Sequence, residues 1–298
     1  MSKTAFLFSG QGAQFVGMGK GLYETSDIAK SMYDFADSKT EGRVTKFSFE
    51  GPEDVLKQTI NNQPCMLTYE AVLLTLASEK GIKADMTAGF SLGEFGAMIC
   101  AEVLSFEDCL TLINERAKLM NEAAQTQNGK MAAILGGDPS LLIETCKNLD
   151  GYVEPVNFNC PGQTVIAGDY DTIDEAIEKL TESGFHCIPL SVNGAFHSRH
   201  MDSAAQEISK VAAAMTFRAP KIPLLSNVSG QPETDFQRLV SVQMASPVLW
   251  EKSIRYMIEQ GVTRFVEIGP GKVLVNFMKK IDRSVEAVHI TSLLGIEV

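Results

Sequence analysis

The stretch Thr87-Ala88-Gly89-Phe90-Ser91-Leu92-Gly93-Glu94 decides the fold that we expect for this chain. It contains the pattern Gly-x-Ser-x-Gly, with a short apolar segment before it and a helix-compatible segment after it. This pattern is typical of a nucleophile elbow, in which a serine lies on a sharp turn between a strand and a helix. A Cβ at either glycine would collide with the neighbouring strand or helix. The alternative is an ordinary tight turn without a chemical role for the serine.

The first strand, predicted over residues 4–8, is followed by a glycine-rich loop at Gly10-Gln11-Gly12. The loop fits neither nucleotide-binding fingerprint, because Phe15 stands where the dinucleotide pattern needs glycine and Met18 where the P-loop needs lysine. At the carboxyl end of a strand, Gln11 could instead donate its backbone N–H to a ligand.

Composition narrows the class of protein. The 298 residues are 45% hydrophobic and 21% charged, as in a soluble globular enzyme, and the net charge of −11 disfavours nucleic-acid binding. No apolar run is long enough to span a bilayer, and the N-terminus lacks the features of a signal peptide, so we expect a cytoplasmic protein with no membrane partner. The six cysteines include no Cys-x-x-Cys pair, so no zinc or redox motif is indicated.

Residues 130–192 have their own succession of predicted strands and helices, β-α-β-β-α-β. With turn signals at Asn128-Gly129 and Asn193-Gly194, this pattern predicts a small ferredoxin-like domain at 128–194. It is inserted into a large α/β domain formed by 1–127 and 195–298. The loop 157–163 is predicted to join the middle strands of the small domain, and its polar residues to line a cleft.

Two helices of the large domain carry polar residues of interest. A break at Asn61-Asn62-Gln63-Pro64 is predicted to precede a helix over 66–80, so Gln63 either caps that helix or faces a cleft. Another helix begins after Ser105 and contains Arg116, which has no acidic residue three or four positions away. Arg116 therefore needs a carboxylate from elsewhere in the fold or from a ligand, unless it extends to solvent or forms a structural ion pair.

A serine nucleophile requires a base, and the chain has only four histidines. His197 follows the predicted small domain in the small-residue segment Gly194-Ala195-Phe196-His197-Ser198. His186, His200 and His289 have less suggestive contexts, so we predict that His197 is the base; the alternative is a structural histidine.

Together these motifs resemble the malonyl-CoA:acyl carrier protein malonyltransferases, to which the acyltransferase domains of polyketide synthases are related. The resemblance covers essentially the whole chain, and its segments occur in the family's order: Gly10-Gln11-Gly12-Ala13-Gln14, Gln63-Pro64, Gly89–Glu94, Arg116, Asn157–Gln163, Ala195–Ser198, Gln243 with Pro247–Trp250, and Glu267–Gly271. It implies an α/β-hydrolase-like large domain carrying the inserted ferredoxin-like domain.

The resemblance also implies roles for the catalytic residues. Ser91 would be the nucleophile and His197 the general base. A backbone carbonyl at Gln243 would orient the imidazole, in place of a carboxylate. The backbone N–H groups of Gln11 and Leu92 would form the oxyanion hole.

The implied substrate-binding residues are Gln63, Arg116, Asn159, Gln163 and Phe196. Arg116 would bind the free malonyl carboxylate bidentately. Asn159 and Gln163 would face the pantetheine arm, and Phe196 resembles the malonyl-preferring form of the family.

The chain departs from the family at Phe90, where histidine is usual, and at Arg199 and His200, which are uncommon there. We expect catalysis to survive, because the usual histidine before the serine is not the base. The changes bear on acyl selectivity or on packing under the elbow.

The resemblance implies malonyl-CoA and acyl carrier protein as partners, in a monomer that uses no metal or bound cofactor. Because these partners are anionic, we expect a local basic rim, with Lys118, Lys130, Arg199 and Lys272 as candidates. Fatty-acid synthesis and a trans-acting polyketide acyltransferase remain open. A serine thioesterase or esterase using His289, and a non-catalytic carrier-binding module, are the rival interpretations.

Overall fold

The computed structural model describes residues 2–192 and 194–296, which contain two β-sheets. The strands are β1 (Lys3–Phe8), β2 (Met86–Gly89), β3 (Gly129–Leu135), β4 (Val153–Cys160), β5 (Gln163–Asp169), β6 (His186–Pro189), β7 (Leu224–Leu225), β8 (Val262–Ile268) and β9 (Glu286–His289).

Helices surround both sheets. They are α1 (Lys20–Thr25), α2 (Asp27–Thr40), α3 (Arg43–Thr45), α4 (Glu53–Leu56), α5 (Thr59–Glu79), α6 (Gly93–Cys100), α7 (Phe106–Thr126), α8 (Pro139–Lys147), α9 (Tyr170–Glu182), α10 (Asp202–Ala213), α11 (Phe236–Val242), α12 (Trp250–Glu259), α13 (Val273–Ile281) and α14 (Ile290–Leu294). A π-helical segment spans Lys46–Glu50, and 3₁₀ turns span Arg199–Met201 and Gln243–Ala245.

The larger sheet is parallel, with the strand order β7-β2-β1-β8-β9, and makes the protein a mixed α/β fold. Its strands are short and strongly apolar, as expected for strands covered by helices on both faces. Phe8 of β1 lies beside Gly89 of β2, so the loops that follow these two strands leave the same edge of the sheet. The glycine-rich loop and the predicted elbow therefore meet at the carboxyl ends of adjacent strands, where ligands commonly bind.

The smaller sheet is antiparallel, with the order β4-β5-β3-β6, and its elements follow one another as β-α-β-β-α-β. An apolar cluster that includes Ile134, Ile166 and Leu180 packs α8 and α9 against one face. At the β4 edge, Val248 of the larger part of the chain exchanges backbone hydrogen bonds with Val156 and Phe158, at 2.7 and 2.9 Å. This exchange joins β4 to the segment leading into α12.

Two local predictions are wrong at the N-terminal half. The predicted break at 61–64 is part of α5, which begins at Thr59 and contains Pro64 in its second turn. Pro64 lacks an N–H for the carbonyl of Ile60, and Arg43 Nη1 donates to that carbonyl at 3.2 Å instead. Gln63 therefore does not cap the helix; it lies buried within it.

One further prediction is wrong, one helix was missed, and one predicted turn lies partly outside the described residues. The predicted loop 157–163 is mostly strand: Asn157 and Asn159 belong to β4, and only Pro161-Gly162 forms the turn. The alternation of buried and partly exposed residues across residues 157–159 continues the sheet pattern that the polar composition concealed. The C-terminal helix α14 was not predicted. Asn193 of the predicted Asn193-Gly194 turn lies outside the described residues.

Gly93→Ala is expected to destabilise the protein by about 3 kcal/mol or more, because overpacking at a rigid contact cannot relax cheaply. A Cβ on Gly93 would lie 2.2 Å from the carbonyl oxygen of Phe8, which belongs to the central strand. Urea or thermal unfolding measures the effect. Gly21→Ala in α1 is the matched control, since among the described residues no atom lies within 4 Å of its added Cβ. That control should be neutral or stabilising by about 1 kcal/mol. Equal melting of both variants would contradict the steric argument.

Candidate active site

Ser91 lies in the sharp turn between β2 and α6 with a left-handed backbone conformation, φ 53°. A Cβ on Gly89 would lie 1.9 Å from the carbonyl carbon of Gly93, so the turn closes only with glycine at these positions. A non-glycine residue at positive φ is strained, and such strain is concentrated at functional sites. The geometry is that of the predicted nucleophile elbow, and the ordinary-turn alternative does not account for the strained serine.

His197 faces Ser91, with 2.7 Å between Ser91 Oγ and His197 Nε2. The other ring nitrogen, Nδ1, lies 3.1 Å from two backbone carbonyl oxygens, those of Gln243 and Ser246. Both oxygens can only accept, so Nδ1 carries the proton and Nε2 offers its lone pair to the serine hydroxyl. The structure thus brings together the predicted nucleophile, base and orienting carbonyl, and adds a second carbonyl at Ser246 that the sequence did not indicate.

Burial keeps the His197 imidazole neutral. Desolvation, assisted by the positive charge of Arg116, lowers the pKa of His197 to about 4, and the hydrogen bonds to the carbonyls of Gln243 and Ser246 oppose this only partly. At neutral pH the ring is therefore almost entirely in the form that can accept a proton.

Arg116 is buried on α7 beside the Ser–His pair, and its guanidinium retains unused donors. Nη2 donates to Gln243 Oε1 at 2.9 Å and to Ser91 Oγ at 3.3 Å, whereas Nε and Nη1 have no partner among the described residues. Burial lowers the pKa of Arg116 to about 10, which leaves the group positively charged at neutral pH. No carboxylate of the described residues lies within ion-pair distance of it. The structural ion pair considered as an alternative is absent from that part of the chain.

Gln243 connects the three groups through both its backbone and its side chain. Its carbonyl accepts from His197, its Oε1 accepts from Arg116, and its Nε2 donates to the carbonyl of Ser91 at 2.7 Å. Only the backbone contact was predicted from the sequence. The side chain additionally fixes the elbow relative to α7.

The predicted oxyanion-hole residues both border the cavity next to Ser91. The backbone N–H groups of Gln11 and Leu92 have no hydrogen-bond partner among the described residues. The side chain of Gln11 is anchored by Thr59 Oγ1 at 3.3 Å, which holds the glycine-rich loop against α5. Two free amides beside a nucleophile are the arrangement that stabilises a developing oxyanion.

A cavity of about 250 Å³ opens between the two sheets in front of Ser91. Its lining is mainly apolar and includes four of the predicted substrate-binding residues, namely Gln63, Asn159, Gln163 and Phe196. Gln63 Oε1 and Asn159 Oδ1 are buried without a partner in the described residues, so both are available to a ligand. Arg116 is not among the residues that line the cavity, but its Nη2 lies 3.3 Å from Ser91 Oγ.

Phe90 forms part of the cavity wall and of an aromatic cluster. Its ring lies edge-on to Trp250, with 5.5 Å between centroids, and 6.1 Å from Phe277. A Cβ on Gly10 would lie 2.7 Å from the Phe90 ring, so the glycine-rich loop packs directly over it. Phe90 thus supplies apolar packing under the elbow, at the position where the resemblance leads us to expect histidine.

The other histidines do not approach Ser91. His289 is buried and makes hydrogen bonds of 2.7 Å to the carbonyl of Gly269 and to Thr291 Oγ1. His200 Nε2 pairs with Asp169 at 2.8 Å. The esterase interpretation that used His289 as base is therefore wrong in its choice of histidine.

Two of the four side chains predicted to form a basic rim make contacts within the protein, and the other two are exposed. Lys130 forms an ion pair with Asp174, and the Arg199 guanidinium stacks 3.6 Å from the Tyr152 ring centroid. Lys118 and Lys272 are exposed. Lys280, which the sequence did not single out, reaches Gln163 Oε1 at 3.4 Å beside the cavity.

Two buried residues beside Ser91, Glu94 and Asn227, were given no role from the sequence. Glu94 accepts a hydrogen bond from the backbone N–H of Asn227 at 2.7 Å, and the Asn227 side chain contacts the elbow itself. Burial raises the pKa of Glu94 to about 8, opposed by that hydrogen bond, by Gln243 and by the charge of Arg116. Glu94 was visible as the last residue of the motif, whereas no signal marked Asn227.

A sequence profile described as acyl transferase domain matches residues 5–296. The malonyl CoA-acyl carrier protein transacylase of Bacillus subtilis (strain 168) is 41% identical over an alignment of 304 positions, covering 100% of this chain and 96% of the relative. The structure of a protein named MCAT from Streptococcus pneumoniae superposes with a TM-score of 0.92 at 38% identity, covering 98% of this chain and 99% of the other.

Another similar structure is a complex of a type II PKS acyl-carrier protein with its malonyl-transacylase. It matches with a TM-score of 0.94 at 32% identity and covers 99% of this chain and 100% of the other. Separately, none of the helices in the described residues combines the length and apolar character needed to cross a membrane.

Proposed function

The chain belongs to the acyl transferase domain family, and from this premise we propose that it transfers a malonyl group from malonyl-CoA to the phosphopantetheine thiol of acyl carrier protein. The observation that carries the proposal is a Ser91–His197 pair at 2.7 Å beside a buried arginine with two unpartnered nitrogens. A nucleophile with its base performs acyl transfer, and the free guanidinium donors suit an acyl group that ends in a carboxylate.

The proposed reaction proceeds in two halves. His197 Nε2 takes the Ser91 proton as Oγ attacks the thioester carbonyl, and the imidazolium then returns that proton to the CoA sulfur as the C–S bond breaks. The carrier-protein thiol next attacks the acyl-serine, giving its proton to His197, which protonates the released Ser91 Oγ. Each half exchanges one acyl bond for another, so the cycle needs no metal or bound cofactor.

The surrounding residues take the roles expected for this chemistry. The N–H groups of Gln11 and Leu92 stabilise the oxyanion of both tetrahedral intermediates, and each is worth about 10²- to 10³-fold in rate. The Gln243 carbonyl keeps the imidazole in the productive tautomer. Hydrogen-bonded carbonyls in place of a carboxylate leave the imidazolium less stabilised, which helps it return the proton to the leaving thiol.

The substrate residues divide between the two ends of the ligand. Arg116 binds the malonyl carboxylate through its unpartnered Nη1 together with Nη2, the nitrogen that lies beside Ser91 Oγ. Gln63 and Phe196 bound the acyl group. Asn159 and Gln163 line the opposite wall, where the pantetheine amides require hydrogen-bond partners.

A trans-acting polyketide-synthase acyltransferase is the second candidate, favoured by the likeness to the transacylase solved with a type II PKS acyl-carrier protein. Both candidates use the same site and differ only in the carrier protein. A serine thioesterase is the third, and it would place water where the carrier thiol attacks.

Intact-mass spectrometry after incubation with malonyl-CoA tests the proposal. A malonyl adduct on Ser91 that persists until a phosphopantetheinylated carrier protein removes it supports acyl transfer. Rapid hydrolysis of the adduct indicates a thioesterase instead, and no adduct indicates a binding module. Discharge to fatty-acid carriers compared with polyketide carriers separates the first two candidates.

The acylation rate should be independent of pH through the neutral range and fall to half near pH 4, because neutral His197 is required and its pKa is about 4. Labelling of Ser91 by diisopropyl fluorophosphate is the suitable measurement, since this reagent has no ionisable group. Brief exposure at each pH, with activity restored on return to neutrality, controls for unfolding. A midpoint at the ordinary value for histidine, about 6.5, would contradict the depressed pKa.

The architecture that goes with this function has two parts. The parallel sheet with its elbow supports an α/β-hydrolase-like large domain over 1–127 and 195–298. The strand order of the antiparallel sheet supports a ferredoxin-like domain over 128–194. We also propose that the protein is a cytoplasmic monomer that binds neither nucleic acid nor a membrane.

A further inference from the structure

The strained backbone of Ser91 is held by the side chain of Asn227, a residue outside all the sequence motifs. Asn227 Oδ1 accepts a hydrogen bond from the Ser91 N–H at 2.8 Å, and Asn227 Nδ2 donates to the carbonyl of Gly89 at 2.6 Å. One amide side chain therefore contacts backbone groups before and at the nucleophile. Together with the Gln243 contact to the Ser91 carbonyl, these bonds restrain both peptide groups of the serine.

Asn227 is itself fixed from two directions. Its N–H donates to Glu94 Oε1 at 2.7 Å, and its carbonyl accepts from the N–H of Leu249 at 2.8 Å. It also follows β7 closely, and β7 pairs in parallel with β2, so Asn227 leaves the sheet at the same edge as the elbow. The side chain is fully enclosed, with 1% exposed, and all four of its hydrogen-bonding groups described here are used.

We propose that Asn227 is a positioning residue for acyl transfer, which holds the Ser91 backbone in its left-handed conformation so that Oγ meets His197. The inference rests on the proposed function for the identity of the acyl donor, although the elbow geometry does not depend on the malonyl group. Glu94 acts through Asn227 by anchoring its backbone, which links the last residue of the elbow motif back to the serine.

Loss of the Asn227 side chain would release the strained turn and leave two backbone groups unpaired. A serine at φ 53° relaxes toward ordinary conformations unless its surroundings hold it. Without the Asn227 amide, the Ser91 N–H and the Gly89 carbonyl lose their partners in a buried site, and a shift of the turn that recovers them moves Oγ. A displacement of about 1 Å at a reacting atom costs about 10²-fold in rate. Arg116 is not contacted by Asn227, so substrate affinity should change little.

The test compares Asn227→Ala, Asn227→Asp and the control Ser226→Ala. Asp keeps an acceptor for the Ser91 N–H but replaces the amide donor, so it should recover part of the rate. Ser226 is the adjacent buried polar residue, and its Oγ accepts from Val228 N–H at 3.1 Å and from no other group in the described part of the chain. Two rates are measured: malonylation from malonyl-CoA, as kcat and KM, and labelling of Ser91 by diisopropyl fluorophosphate.

We expect Asn227→Ala to lower kcat and the labelling rate by about 10²-fold with KM nearly unchanged, Asp to lie between Ala and wild type, and Ser226→Ala to match wild type. Circular dichroism and thermal melting establish that the variants are folded; if Asn227→Ala is unfolded, the Asp variant carries the comparison. A folded variant that labels at the wild-type rate, or one whose loss lies in KM, overturns the inference. If wild type is not malonylated but labelling still depends on Asn227, the proposed function fails and the positioning role stands.

Discussion

His197→Gln should slow acylation of Ser91 by about 10⁴-fold, the upper range for loss of a general base. Glutamine can fill the space and donate to the carbonyls of Gln243 and Ser246, but it cannot take the proton from Ser91 Oγ. The remaining rate comes from the oxyanion amides and from substrate binding, which this substitution leaves in place. Single-turnover mixing with malonyl-CoA, followed by intact mass, measures the change.

His200→Gln is the matched control, because His200 lies three residues further along and pairs with Asp169 instead of Ser91. We expect its acylation rate to stay close to wild type. The His197 variant should also lose the fall in labelling rate near pH 4, since no imidazole remains to be protonated there. A His197 variant that acylates rapidly, or a His200 variant that is equally slow, would show that the base has been misassigned.

The sequence predicted those parts of the site that local steric rules determine. Gly89 and Gly93 are required by contacts within a few residues of Ser91, so a short motif was enough to predict the turn. Helix α7 begins where expected, because Ser105 Oγ accepts from Asp108 N–H in the first turn. The succession of strands and helices along residues 130–192 was likewise predicted from the alternation of apolar and polar residues and from turn residues.

Contacts between distant segments were much harder to predict. Asn227 lies 136 positions from Ser91, and nothing in its neighbourhood distinguishes it from a turn asparagine. The side-chain contacts of Gln243 depend on how α11 is placed against the elbow. The error at Pro64 has a related cause, since the helix continues only because Arg43 satisfies the carbonyl that proline leaves free. Tertiary partners override local propensity in each case.

Arg116 shows what can be inferred from a missing partner. Its helix offers no acid three or four positions away, and the structure indeed leaves Nε and Nη1 without partners among the described residues. The contacts that it does make, to Gln243 Oε1 and Ser91 Oγ, use Nη2 alone. A guanidinium held by one nitrogen is positioned, while its unpartnered Nη1 remains available to a carboxylate.

Arg116→Ala is therefore expected to slow malonyl loading by about 10²- to 10³-fold, since two hydrogen bonds to a charged group contribute about 3–4 kcal/mol in total. Acetyl loading, which lacks the carboxylate, should fall much less, through the lost contacts of Arg116 to Gln243 and Ser91. Arg116→Lys keeps the charge but not the planar pair of donors, so it should recover only part of the malonyl preference. Loading from malonyl-CoA and acetyl-CoA is compared by intact mass.

Two further measurements separate the carboxylate role from a general structural one. Glu122→Gln removes an exposed charge on the same helix and should leave both loading rates unchanged. Removing the Arg116 charge should also raise the pKa of His197, because that charge is the second cause of its depression after burial. The low-pH limb of Ser91 labelling should then move to higher pH in Arg116→Ala and stay in place in Arg116→Lys. Equal losses for malonyl and acetyl loading would rule out the carboxylate contact, whereas an unmoved limb would rule out the electrostatic coupling between Arg116 and the base.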